Sequence, residues 1–229
     1  MSISSGVMSK NDLDMLLLGM PVGELILLQL GLSSNPQGAN NLEIDVVGYA
    51  KSISGLSNEA AYNLLSDAAK SLFHRHFSYK HDSYETATSF LFGFSGNEDE
   101  YKLNITLSDS FFKAINNVGV STVKEMLDTY IQPPLSKLDR AYSAKLYLLL
   151  TNDDSSSDSV IIDYERLRSE LGLDADAYSL IQNFKKRILN IAINDINELT
   201  LLDVDYTDIM DNRKITGFKF TVKSKEVSK

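Results

Sequence analysis

The stretch Asn183–Glu198, "NFKKRILNIAINDINE", decides how the chain is read. With its flanks it places apolar residues at Ile181, Phe184, Ile188, Ile191, Ala192, Ile196 and Leu199. That three-and-four spacing predicts a helix with one face in a core. The opposite side carries Asn183, Arg187, Asn190, Asn194 and Asn197, with Lys185 and Lys186 beside them. Asparagine is a weak helix former, because its side chain competes for the backbone. A merely solvated face is better built from Glu, Gln and Lys. Asn and Arg are also the side chains that make paired hydrogen bonds to adenine and guanine edges.

This basic cluster stands in an acidic chain. The 229 residues hold 22 Lys+Arg against 31 Asp+Glu, a net charge of −9 and a pI near 4.8. Such a balance argues against a general polyanion binder, which needs long-range positive potential. The average conceals a split. Residues 1–130 carry 8 basic against 15 acidic side chains, and residues 131–229 carry 14 against 16. The second part is nearly balanced, and its positive charges are clustered. Cysteine is absent, which excludes disulfides, thiolate metal sites and thiol catalysis. No charged segment followed by an apolar run opens the sequence, so no signal peptide is expected. The longest apolar runs, "MLLLGM" and "ELILLQLGL", fall far short of the roughly 20 residues that span a bilayer. The chain reads as cytoplasmic, with no membrane partner.

Outward from the opening stretch, an order of elements appears twice. "VGELILLQLGL" after Pro21 predicts a helix, "NLEIDV" a short strand, and "VGYAKSISGL" a short helix ending near Gly55. Ser57 should cap the next helix, 58–75. "HFSYK" and "ATSFLFGF" are β-rich around the polar turn "HDSYET", and "YKLNITL" is a further strand. Pro133 and Pro134 cannot sit inside a helix and mark a boundary. The order then returns: "RAYSAKLYLLL", "SVIIDY", "ERLRSELGL", and a helix beginning near "DADAYSLIQNFKKRIL". Gly-Leu, a capping Ser57 or Asp174, and Ala-Tyr-x-Leu at 61–64 and 177–180 are shared. The strands "LLDVDYTDI" and "KITGFKFTVK" close the second copy around "MDNR".

The repeated unit is helix, strand, helix, turn, helix, hairpin, which is a winged helix. The expected fold is α+β: two tandem winged-helix domains related by internal duplication, over 1–132 and 133–229. In the second, the helix should read bases through Asn183, Arg187, Asn190 and Asn194, with Lys186 placed to meet either a base or a phosphate. Lys185, Arg213, Lys214, Lys219 and Lys223 should hold phosphates, with Lys225 on the same hairpin.

At this point the residues carry a family resemblance. "YSAKLYLLL", "YERLRSELGL", "FKKRILNIAINDIN" and "RKITGFKFTVK" resemble the C-terminal winged helix of iteron-binding plasmid replication initiators. Their pattern is Tyr-x-x-basic-Leu-Tyr-x-Leu-Leu, Leu-Arg-x-x-Leu-Gly, Phe-basic-basic-Arg-x-Leu with a Glu/Asp-Ile-Asn end, and Arg-Lys before an apolar-x-Phe strand. "KNDLDMLLLGMPVGELILLQL" is similar to the family's opening segment. The resemblance implies double-stranded DNA as partner, as direct repeats or an inverted repeat. It also implies a homodimer in equilibrium with monomer through the first domain, and host replication proteins. By position it makes Asn183, Lys186 and Arg187 base readers. The sequence departs from the family at Ser179 and Leu180, where basic residues are common. It departs again at Ile191–Ala192, where Pro-Ala is common. The wing carries Asp208 and Asp211 where Lys and Gly are usual.

Other constellations are weaker. Of the three histidines His74, His76 and His81, the first two are two apart, which on a helix points them in different directions, and no carboxylate follows at ligand spacing. The acids Asp154, Asp158 and Glu165 lack the glycine of a calcium loop. No Gly-rich phosphate loop or nucleophile motif is present. The expectation is an initiator without catalysis, metal or cofactor. A winged-helix repressor and an acidic protein-interaction module are the alternatives.

Overall fold

A computed structural model describes residues 8–34, 39–81, 84–151, 159–173, 177–178 and 180–225. The chain divides into two compact units, Met1–Ile131 and Gln132–Lys229.

In the first unit, Ser9 and Asp12 cap α1 (Lys10–Leu18) reciprocally, each side chain accepting the other's backbone N–H. Pro21 precedes α2 (Val22–Ser34), which buries Leu25, Leu27, Leu28 and Leu32. Strand β1 (Asn41–Ile44) ends at Asp45, whose carboxylate accepts the Gly48 N–H at 2.8 Å and starts α3 (Val46–Ser52). Ser57 caps α4 (Asn58–His74) by accepting the Ala60 N–H at 3.1 Å. Strands β2 (His76–His81), β3 (Tyr84–Ser89), β4 (Leu91–Asn97) and β5 (Lys102–Leu107) follow, then α5 (Asp109–Val118) and α6 (Val120–Tyr130).

The second unit repeats the plan. After a 3-10 turn come α7 (Ala141–Thr151), β6 (Ser159–Asp163) and α8 (Tyr164–Glu170). Asp163 caps α8 from the strand end, as Asp45 caps α3. A continuous helix then runs through α9 (Ile181–Phe184), a π-helical turn (Lys185–Leu189) and α10 (Asn190–Leu199). The wing is β7 (Leu202–Asp211) and β8 (Lys214–Ser224).

The sheets show the duplication most directly. Their orders are β1-β5-β4 and β6-β8-β7, antiparallel throughout, with the first strand of each unit paired to the last. The wing of the first unit is therefore β4–β5. The expected hairpin around "HDSYET" is a separate two-stranded ribbon, β2–β3, inserted between helix and wing. The segment "ATSFLFGF" breaks at buried Phe90, so its two halves belong to different sheets.

Two other expectations change. The Ala-Tyr-x-Leu of the second copy is not helical: Ala177 and Tyr178 form a turn, Tyr178 has φ +53°, and the helix starts at Ile181. Asp174, expected as its cap, and Asp154 and Asp158 lie outside the described residues. Ile191 and Leu199, expected in the core, are exposed, while Leu189 and Ile193 are buried. The π turn explains why Ile191 turns outward, whereas Leu199 is exposed as the last residue of α10. The Asn190 N–H bonds Lys185 O, five residues back. One extra residue in a turn sets the following helix back by about 100°.

Candidate nucleic-acid interface

The core of the second unit positions the helix 181–199. Phe184, Ile188, Leu189, Ala192, Ile193 and Ile196 are buried with Phe218 and Phe220 of β8 and Val204 of β7. The Phe184 and Phe218 rings stack at 6.1 Å, and Tyr164 meets both edge-on. Two polar ties lock the helix further. Buried Asp195 accepts from Arg140 at 2.6 Å and from Ser143 at 2.6 Å, which fastens α10 to α7. Asn197 bridges to β7, accepting the Val204 N–H at 2.7 Å and donating to Val204 O at 2.9 Å.

The short motifs of this unit now have physical reasons. In "LRSELG", Leu167 and Leu171 are buried, and Gly172 takes φ +64°. Arg168 is buried and donates to Tyr178 O at 3.1 Å, so it clamps the turn that feeds the helix. It is a structural residue and faces no solvent groove.

The predicted site residues fall into three groups. Asn183, Lys186, Arg187, Asn190 and Asn194 all lie exposed on the helix. Among the described residues, no side-chain hydrogen bond or ion pair occupies Asn183, Lys186, Arg187 or Asn194. Asn190 is partly committed: its carbonyl oxygen accepts from the Tyr206 hydroxyl at 2.8 Å. That bond uses one of the two lone pairs on the oxygen and ties the side chain toward Tyr206, whereas paired adenine contact needs its donor and acceptor together. Arg213 and Lys214 are exposed at the wing tip. Asn212 and Arg213 both have positive φ, +46° and +73°, and form the two-residue turn whose twist matches the strands.

The other cations are placed differently. Lys185 is only 20% exposed and reaches both Asp208 oxygens at 2.8 Å, with its ammonium 5.3 Å from the Tyr206 ring. Burial alone would lower its pKa; the Asp208 carboxylate and Tyr206 outweigh that and hold it above the ordinary lysine value. The Tyr206 phenol is raised too, mainly by burial. Lys219 and Lys223 are exposed, but they alternate with Phe218 and Phe220, which pack on the helix. Both therefore stand on the far face of the sheet, opposite Thr207 and Asp203. Lys225 donates to Asn197 O and to Thr200 O at 3.0 Å, where a cation satisfies carbonyls at a helix C-terminus.

The equivalent helix of the first unit is a different surface. Lys70 pairs with Asp67 at 3.0 Å, and Arg75 pairs with buried Glu24 at 3.0 Å, beside a Ser71–Glu24 hydrogen bond of 2.7 Å. Leu64 and Phe73 are exposed on it, and Phe92 is exposed on β4. Among the described residues, no helix is long and apolar enough to cross a membrane.

Comparison with known proteins follows the two units. The family model "Initiator Replication protein, WH1" matches residues 6–151, and "Initiator Rep protein, WH2" matches residues 163–222. The Pi initiator protein solved in complex with iteron DNA is 20% identical, over 93% of this chain and 95% of that one, with a TM-score of 0.47. The WH1 domain of MSBI1.176, a replication protein isolated from a multiple sclerosis patient, is 19% identical over 48% of this chain and 86% of its own, TM-score 0.41. Domains 2 and 3 of RctB are 12% identical over 96% and 84%, TM-score 0.37. No curated protein matches the sequence. The two family models together span most of the chain and carry the assignment. The chain belongs to the initiator replication protein family, with a WH1 and a WH2 winged helix in tandem.

Proposed function

We propose that this initiator binds repeated double-stranded sites at a plasmid-type origin through the exposed face of helix 181–199. One observation carries the reading. In a chain of net charge −9, Asn183, Lys186, Arg187 and Asn194 stand together on a rigidly packed helix with no protein partner among the described residues. Such a face fits the major groove, where Arg pairs with guanine and Asn with adenine. Arg213 and Lys214 at the wing tip hold phosphates beside it. Binding, bending or opening the DNA and recruiting host replication proteins then constitute the activity, without catalysis by the chain itself.

The WH1 unit supplies the homodimer contact in this reading. Its α4 has Lys70 and Arg75 committed to acids and Leu64 and Phe73 exposed, which suits protein rather than phosphate. Footprinting with the full chain on its own upstream region tests the DNA reading. Protected direct repeats are the expected result. Protection of one inverted repeat alone would make the protein a repressor, and no protection would overturn the reading. Dimerisation by a chain lacking residues 1–130, seen by light scattering, would overturn the WH1 assignment.

A further inference from the structure

Ile191 is an apolar side chain on an otherwise polar surface. It is 39% exposed in the middle of helix 181–199. Its apolar neighbours Ile188, Leu189, Ala192 and Ile193 fill the core, so packing does not require it. The π turn at Lys185–Leu189 resets the phase of the helix and brings Ile191 out of the predicted core stripe. It emerges between Arg187, four residues before, and Asn194, three residues after, and both are exposed. Single exposed apolar residues are ordinary on protein surfaces. This one sits within the set of side chains that offer base-edge hydrogen bonds.

The major groove floor presents one apolar group, the 5-methyl of thymine. We propose that Ile191 is a specificity-determining residue that reads a thymine through that methyl group. The inference rests on the DNA-binding reading above. Three residues of α-helix advance about 4.5 Å, against about 3.4 Å per base pair. The thymine therefore lies within one or two base pairs of the base met by Asn194. The γ2 methyl and δ1 carbon of isoleucine supply contact without a hydrogen-bond donor, so cytosine at the same place offers nothing in exchange.

Fluorescence anisotropy with the full chain tests this on the footprinted repeat, with each thymine replaced singly by deoxyuridine. Deoxyuridine removes only the methyl and keeps the pairing. The expected result is that one position weakens wild-type binding about fourfold, the effect of one buried methyl. Ile191→Ala should bind the thymine duplex about as weakly and be indifferent to uridine there, while Ile191→Val should retain the sensitivity. If no uridine substitution affects the wild type, or if Ile191→Ala keeps the wild-type uridine sensitivity, the inference is overturned. If the wild type binds repeat and scrambled duplexes alike, it is the DNA-binding reading that falls.

Discussion

Asp208→Asn should strengthen DNA binding, and strengthen it most at low salt. In the folded protein Asp208 holds Lys185 through two 2.8 Å contacts, so that ammonium is already neutralised. A cation paired in this way releases no counterions when phosphate approaches. The isosteric asparagine keeps the shape and removes the charge, freeing Lys185 beside the exposed face of helix 181–199. Each phosphate newly neutralised steepens the dependence of log K on log salt by about 0.9. Between about 50 and 200 mM salt this amounts to a differential of about 3.5-fold for one contact. The fold should tolerate the change, because a partly exposed pair contributes about 1 kcal/mol or less, and the Tyr206 ring still faces the ammonium. Lys185→Ala makes the complementary prediction: the salt slope of the wild type is unchanged. Anisotropy across a salt series, on repeat and scrambled duplexes, reads both. The reasoning is refuted if Lys185→Ala flattens the slope by about one unit while Asp208→Asn leaves it alone. That pattern would mean Lys185 leaves Asp208 for a phosphate on binding.

Arg187→Ala should narrow the gap between repeat and scrambled duplexes by about 1–3 kcal/mol, the worth of a paired base contact, measured in the same assay. Tyr130 donates to the Asp14 carboxylate within WH1, and burial followed by Asp14 raises its pKa above the ordinary phenol value of 10.0. A raised pKa means the folded state binds the proton more tightly, so this stabilisation is complete below pH 10.0 and is lost as pH rises past it. Tyr142, Tyr147 and Tyr206 shift the same way, so the readout is the difference between wild type and Tyr130→Phe in thermal melts from neutral to alkaline pH. At neutral pH, Tyr130→Phe should cost about 1–3 kcal/mol by removing a donor to a buried carboxylate. Gly217→Ala should destabilise WH2 more severely, because a Cβ there would stand 2.8 Å from the backbone oxygen of Ile162 and force β8 away from β6. A melting temperature equal to wild type would contradict that packing.

Much of the architecture is legible along the chain, because it depends on neighbours a few residues apart. Ser57 announces a helix start, and apolar spacing marks Phe184, Ile188 and Ile196 as core. The recurrence of these local signals reveals the duplication, and the exposed Asn183, Lys186, Arg187 and Asn194 stand out by residue type. Other features need the folded sheet. No periodicity announces the π turn, since it is a change of period, and it alone decides that Ile191 faces outward and Leu189 inward. Lys185 and Asp208 are 23 residues apart, Asn197 reaches β7 and Lys225 reaches back 28 residues to Asn197. Composition presents these as free polar groups, whereas strand register makes them partners. Lys219 and Lys223 join the wing in sequence yet stand on its far face, because side chains alternate along a strand and Phe218 and Phe220 claim the near one. A sequence displays which charges exist and how local turns repeat. Which charges remain unpaired on one surface is settled by contacts between distant segments, and those depend on the register and phase that packing imposes.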